Sequence, residues 1–128
     1  AERVEYLLLD NGSCDRTPHI LKDAVTRAQT AGLTLKHLSE TQIQSAYAAR
    51  NTGICAATGE ILAFTDADCY PAATWLETLV QGFQDSQVGL CVGEVTALPA
   101  SNRHLCCSGL CLCKNRTLSP PHDHRGRC

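Results

Sequence analysis

Four short apolar runs, separated by stretches of helical period, set what this chain can fold into. They are "VEYLLLD" (residues 4–10), "LTLKHL" (33–38), "EILAFTD" (60–66) and "VGLCVGEVT" (88–96). Each reads as a strand, and the first is closed by the turn signal "NGS". Between them lie helical patterns. Thr17 and Pro18 make a helix start, with Ile20, Leu21, Ala24, Val25 and Ala28 at helical spacing and Gly32 as the C-terminal cap. "QSAYAARNTGICAATG" (44–59) is Ala-rich, helical, interrupted at Gly53 and capped at Gly59. After Pro71, a third helix carries Trp75, Leu76, Leu79, Val80 and Phe83 on one face. The order β-α-β-α-β-α-β with short connections predicts an α/β fold, a mostly parallel sheet with helices on both faces.

In such sheets ligands bind beyond the carboxyl ends of the strands. Asp10 closes the first apolar run and Asp66 the third, with Asp68 two residues further on. Two carboxylates one residue apart repel each other and favour a cation or a set of hydrogen-bond donors. Mg²⁺ and Mn²⁺ suit them, because these hard cations take one or two carboxylates together with phosphate oxygens. Asp-x-Asp also occurs in ordinary surface turns. No G-x-x-x-x-G-K-[ST] and no G-x-G-x-x-G after a strand is present, so the usual phosphate loops are excluded. An aspartyl phosphatase of D-x-D-x-T type would need a threonine where the chain has Tyr70.

Composition sharpens the boundary of this unit. Residues 1–102 hold 12 acidic and 6 basic side chains, a net charge of −6, whereas residues 103–128 hold 1 and 5, a net charge of +4. Five of the nine cysteines (106, 107, 111, 113 and 128) fall in that second stretch. It has no helical period, contains Pro120-Pro121, and is expected to be a loop or a disordered end. The odd cysteine count and the lack of a leader-like N-terminus point to a reducing cytoplasmic compartment rather than a secreted scaffold. No apolar stretch approaches the ~20 residues of a transmembrane helix. An acidic body and a basic end without aromatic residues argue against nucleic acid as partner.

Four stretches taken together resemble family 2 glycosyltransferases of the GT-A fold. "LLLDNGSCDRT" matches an apolar strand ending in D-[DN]-G-S-x-D-x-T, and "AARNTGICAATGE" matches A-R-N-x-G followed by A-x-G-E. "FTDADCYPAATWLE" matches [LT]-D-A-D and P-x-W-L, and the match runs over about residues 4–96. The resemblance implies an inverting transfer of sugar from a nucleotide-diphosphate sugar donor to a sugar, lipid or other hydroxyl acceptor. Asp10 would contact the base or ribose, with Asn11 and Ser13 shaping the turn beside it. Arg50 and Asn51 would face the nucleotide and its phosphates. Asp66 would hold the ribose or a metal-bound water, and Asp68 would bind Mn²⁺ or Mg²⁺ directly.

Plainer readings stand beside these roles. Asp10 and Ser13 also suit a turn, Asp15 a helix start and Arg50 a solvated helix face. Trp75 and Phe83 read as core, and Cys14, Cys55, Cys69 and Cys91 as passive thiols. Members of the family also open with one more strand and carry a general base in an acidic segment beyond the metal motif. Here the only acid after Glu94 is Asp123, so no base is assigned. The expectation is a partial GT-A domain over 1–102, truncated at both ends, with a Cys/His/Arg-rich tail over 103–128. A reading-frame change in the gene would produce such a tail. The alternatives are a non-catalytic nucleotide or metal-binding module, and a thiol-rich zinc-binding protein acting through the tail.

Overall fold

A computed structural model describes residues 4–95 and, as backbone, 111–114. The chain forms two compact units that divide between Gly59 and Glu60.

The first unit is built on a parallel pair of strands, β1 (Glu5–Asp10) and β2 (Thr34–Ser39), in register from Glu5 opposite Thr34 to Asp10 opposite Ser39. A parallel pair needs a crossover, supplied here by helix α1 (Thr17–Thr30). Asp15, rather than the Thr17 hydroxyl, caps its start, with Oδ1 accepting the Thr17 N–H at 2.8 Å. Pro18 stands in the first turn as the helix's second residue, one place later than expected, and Gly32 ends the helix at φ +73°, in the left-handed region that favours glycine. Helix α2 (Ala46–Ala56) follows, capped by Ser45 Oγ accepting the Ala48 N–H at 3.1 Å. Gly53 does not interrupt it. It lies buried within the helix, where an added Cβ would come within 3.0 Å of Leu9 Cδ1 on β1. Glycine there lets α2 approach the strand closely.

The second unit holds β3 (Ile61–Ala63), helix α3 (Trp75–Gln81) continued by a 3₁₀ turn (Gly82–Gln84), β4 (Leu90–Val92) and β5 (Cys111–Lys114). Its core is Leu79, packed by Ile61, Trp75, Phe83 and Cys91. Trp75 and Phe83 are therefore core residues as expected, while Val80, expected on the same face, is exposed. β3 and β4 do not pair with each other. β5 runs antiparallel between them, with Leu112 opposite both Ala63 and Cys91. The mostly parallel sheet that was expected is thus a parallel pair in the first unit, while in the second β5 pairs antiparallel with both β3 and β4. The tail, expected to lack regular structure, supplies the central strand at 111–114; its other residues lie outside those described.

β3 is also shorter than the expected 60–66. It ends at Ala63, so Asp66 lies in the turn that follows rather than on the strand.

Candidate donor-binding site

Asp10 is the one buried charged side chain among the described residues, 5% exposed. Its backbone carbonyl accepts the Glu40 N–H at 2.8 Å, which carries the β1–β2 ladder one residue past Ser39. Its Oδ1 accepts the Ser13 N–H at 3.2 Å. That bond closes the turn Asp10–Asn11–Gly12–Ser13 over the strand end, and Gly12 at φ +75° makes the reversal possible. Asn11 Oδ1 is buried beside it with no hydrogen-bond partner among the described residues. A buried acceptor left unmade costs free energy.

The segment leading into α2 leans on the same turn. Gln44 Nε2 donates to the Gly12 carbonyl at 3.4 Å, and a Cβ on Gly12 would sit 3.2 Å from that nitrogen. Glu40 shapes the segment. Its Oε1 accepts the N–H groups of Gln42 (2.7 Å) and Ile43 (3.0 Å), and its Oε2 accepts the Thr52 hydroxyl at 3.0 Å. These bonds, Ile43 first, hold the Glu40 carboxyl below the usual carboxylate range. Arg50 and Asn51, the sequence candidates on α2, are both exposed in its second turn. Within the first unit, then, Asp10, Asn11 and Ser13 form one turn, and α2 begins against it.

Sequence reasoning missed Glu40 and Gln44. The available signal was a glutamate two and three residues before exposed backbone donors, in a segment ahead of a capped helix.

In the second unit Asp66 and Asp68 are exposed in the turn after β3, where the Cys69 N–H donates to the Asp66 carbonyl at 3.1 Å. Cys69 is disulfide-bonded, which corrects its reading as a passive thiol, and its Sγ lies 3.7 Å from Asp68 Oδ1. Cys14, Cys55 and Cys91 are not in disulfides. No group of three or more His, Cys, Asp or Glu able to hold a metal occurs among the described residues. Two exposed carboxylates fit Mg²⁺ or Mn²⁺ only as partial ligands, with phosphate oxygens and water completing the shell.

Residues 1–104 match the family described as Glycosyl transferase family 2. The chain belongs to that family. Glycosyltransferase AglE of Haloferax volcanii is 43% identical over 93 residues, which are 73% of this chain and 29% of AglE. A pre-mycofactocin glycosyltransferase of Mycobacterium tuberculosis is 43% identical over 51 residues, 40% of this chain and 11% of that protein. Among solved structures, the mannosyltransferase PcManGT from Pyrobaculum calidifontis, in complex with GDP-Man and Mn²⁺, superposes with a TM-score of 0.65. It is 30% identical, and the match covers 86% of this chain and 35% of PcManGT. The family 2 chain therefore has the GT-A architecture, and it spans less than a third of AglE. No helix among the described residues is long and apolar enough to cross a membrane.

Proposed function

We propose that this family 2 chain is the donor-binding part of an inverting glycosyltransferase acting on a nucleotide-diphosphate sugar. The observation that carries the proposal is Asp10, a buried acid at a strand end with an orphaned acceptor, Asn11 Oδ1, beside it. Base and ribose edges supply the N–H and O–H donors that such acceptors lack. Ser13 holds the turn, while Arg50 and Asn51 offer donors suited to phosphate oxygens. Asp66 and Asp68 would hold Mn²⁺ or Mg²⁺, which supplies charge neutralisation at the leaving diphosphate. The Mn²⁺ in the PcManGT complex supports that choice of ion. The donor-binding residues lie within 1–102, with 103–128 as a Cys/His/Arg-rich end whose 111–114 strand pairs with β3 and β4, and the acceptor bears a hydroxyl group. A cytoplasmic setting, at the membrane face or away from it, rests on the cysteine content, against which the Cys69 disulfide weighs.

Titration calorimetry of GDP and of UDP, each with and without Mn²⁺, tests the proposal on wild type and Asp68→Ala. Binding should depend on the metal, and Asp68→Ala should weaken it about tenfold or more, since the ion bridges carboxylate and phosphate. Sugar transfer by this chain alone should be negligible, because no residue is placed as general base. Binding indifferent to both metal and mutation would remove Asp68 from the site.

A further inference from the structure

Glu40 makes four hydrogen bonds that join three pieces of the first unit. Its N–H donates to Asp10, its Oε1 accepts two backbone N–H groups of the 40–45 segment, and its Oε2 accepts Thr52 on α2. Neither a helix start nor a strand end requires this arrangement. The N-cap of α2 is already filled by Ser45, and the β1–β2 ladder is complete from Glu5 to Asp10 without the side chain. The Thr52 bond does something those elements cannot. Successive helix residues are about 100° apart around the axis, so fixing one side chain fixes the direction of its neighbours. Thr52 is half-buried, whereas the two residues before it, Arg50 and Asn51, are exposed.

We propose that Glu40 is a positioning residue of the donor site. It sets the rotation of α2, and with it the direction of Arg50 and Asn51, relative to the turn that closes on Asp10. The proposal rests on the donor-site reading above. It is separable from it, because the clamp itself can be observed without any ligand. The same residue fixes both the carbonyl side of the site, through its backbone N–H on Asp10, and the helix side, through its carboxylate on Thr52. Loss of either contact should therefore loosen one part relative to the other without unfolding the unit. The ionised form accepts all three side-chain-directed bonds, in keeping with the lowered carboxyl pKa.

The test compares wild type with Thr52→Val, Thr52→Ser, Glu40→Ala and, as a control, Glu5→Gln. Glu5 binds the N–H groups of Thr58 and Gly59 just beyond the other end of α2, away from the proposed contacts. Affinity for GDP and UDP with Mn²⁺ is measured by calorimetry, and amide exchange over 42–52 by mass spectrometry. Thr52→Val and Glu40→Ala should weaken nucleotide binding five- to twentyfold and speed exchange over 42–52 by a similar factor. Thr52→Ser, which keeps the hydroxyl, should restore both, and Glu5→Gln should lower stability with affinity unchanged. Wild-type affinity in Thr52→Val and Glu40→Ala would overturn the proposal. So would an equal loss in Glu5→Gln, which would mark a general stability effect. If the wild-type chain binds neither nucleotide, the donor-site reading fails, and exchange alone decides Glu40. Faster exchange over 42–52 then upholds the clamp, and unchanged exchange overturns it.

Discussion

Glu5 shows how much one carboxylate can hold. It accepts the Thr58 N–H, the Thr58 hydroxyl at 2.8 Å and the Gly59 N–H at 3.1 Å, while Lys36 Nζ lies 3.4 Å away on β2. The Thr58 backbone bond is the largest reason its pKa falls from 4.5 to about 2. In the unfolded chain the carboxyl titrates near 4.5, so the stabilisation is complete above that pH and is lost as pH falls towards 2. Glu5→Gln should lower stability at pH 7 by about 1–2 kcal/mol, allowing for partial exposure. That difference should shrink between pH 4.5 and 2, as followed by urea denaturation across the range. A constant difference down to pH 2 would show that the ionised form is not what the backbone donors hold. None of these bonds was legible in the sequence. Thr58 is 53 residues away from Glu5, and periodicity carries no information about such long-range partners. Asp10 was legible because it combines an apolar strand with a turn signal, both of them local.

At the level of elements, the strands and helices of the first unit followed from pattern, because each amphipathic segment has its own period. The glycines were harder to read. Gly53 looked like a helix breaker, yet its role is the space it leaves for Leu9. Gly53→Ala gains about 1 kcal/mol of helix propensity. The crowding at 3.0 Å from Leu9 Cδ1 opposes that gain, leaving the change within about 1 kcal/mol of wild type. Gly53→Val has no such offset and should cost about 1–3 kcal/mol, measured as the shift in denaturation midpoint. Gly82 makes a closer approach still, because a Cβ there would lie 2.5 Å from Cys91 Sγ on β4. Gly82→Ala should destabilise the second unit by about 1–3 kcal/mol, and Cys91→Ala in the same chain should recover part of the loss. Equal losses in the single and double variants would place the strain elsewhere. The length of β3 was misjudged because "EILAFTD" stays apolar through Phe64, past the end of the strand, and nothing local marks where pairing with β5 stops.

For the molecule as a whole, the least legible feature was the tail. Its charge and cysteine content separate it from the body, which suggested independence, yet 111–114 lies between β3 and β4. Nearest-neighbour pairing cannot be read from composition, and an antiparallel strand inserted between two parallel ones departs from the sequential order that short connections favour. The consequence is testable by proline. Leu112→Pro removes a backbone N–H from a central strand, where proline is not tolerated. It should cost about 3 kcal/mol or more and abolish amide protection at 61–63 and 90–92, while 5–10 and 34–39 keep theirs. Exchange mass spectrometry reads all four segments at once. Protection kept at 61–63 and 90–92 would mean that β3 and β4 find another partner.

The same strand order has a temporal side. β5 begins 19 residues after β4 ends, so at about 5–20 residues per second a ribosome delivers it some 1–4 s after β4. During that interval the first unit can already close its β1–β2 ladder. β3 and β4 meanwhile wait with open backbone edges, the kind of surface that recruits strands from other chains. The Asp-x-Asp turn leads out of one of those waiting strands. Its final geometry is therefore set late in synthesis, by a segment outside the acidic body that carries it.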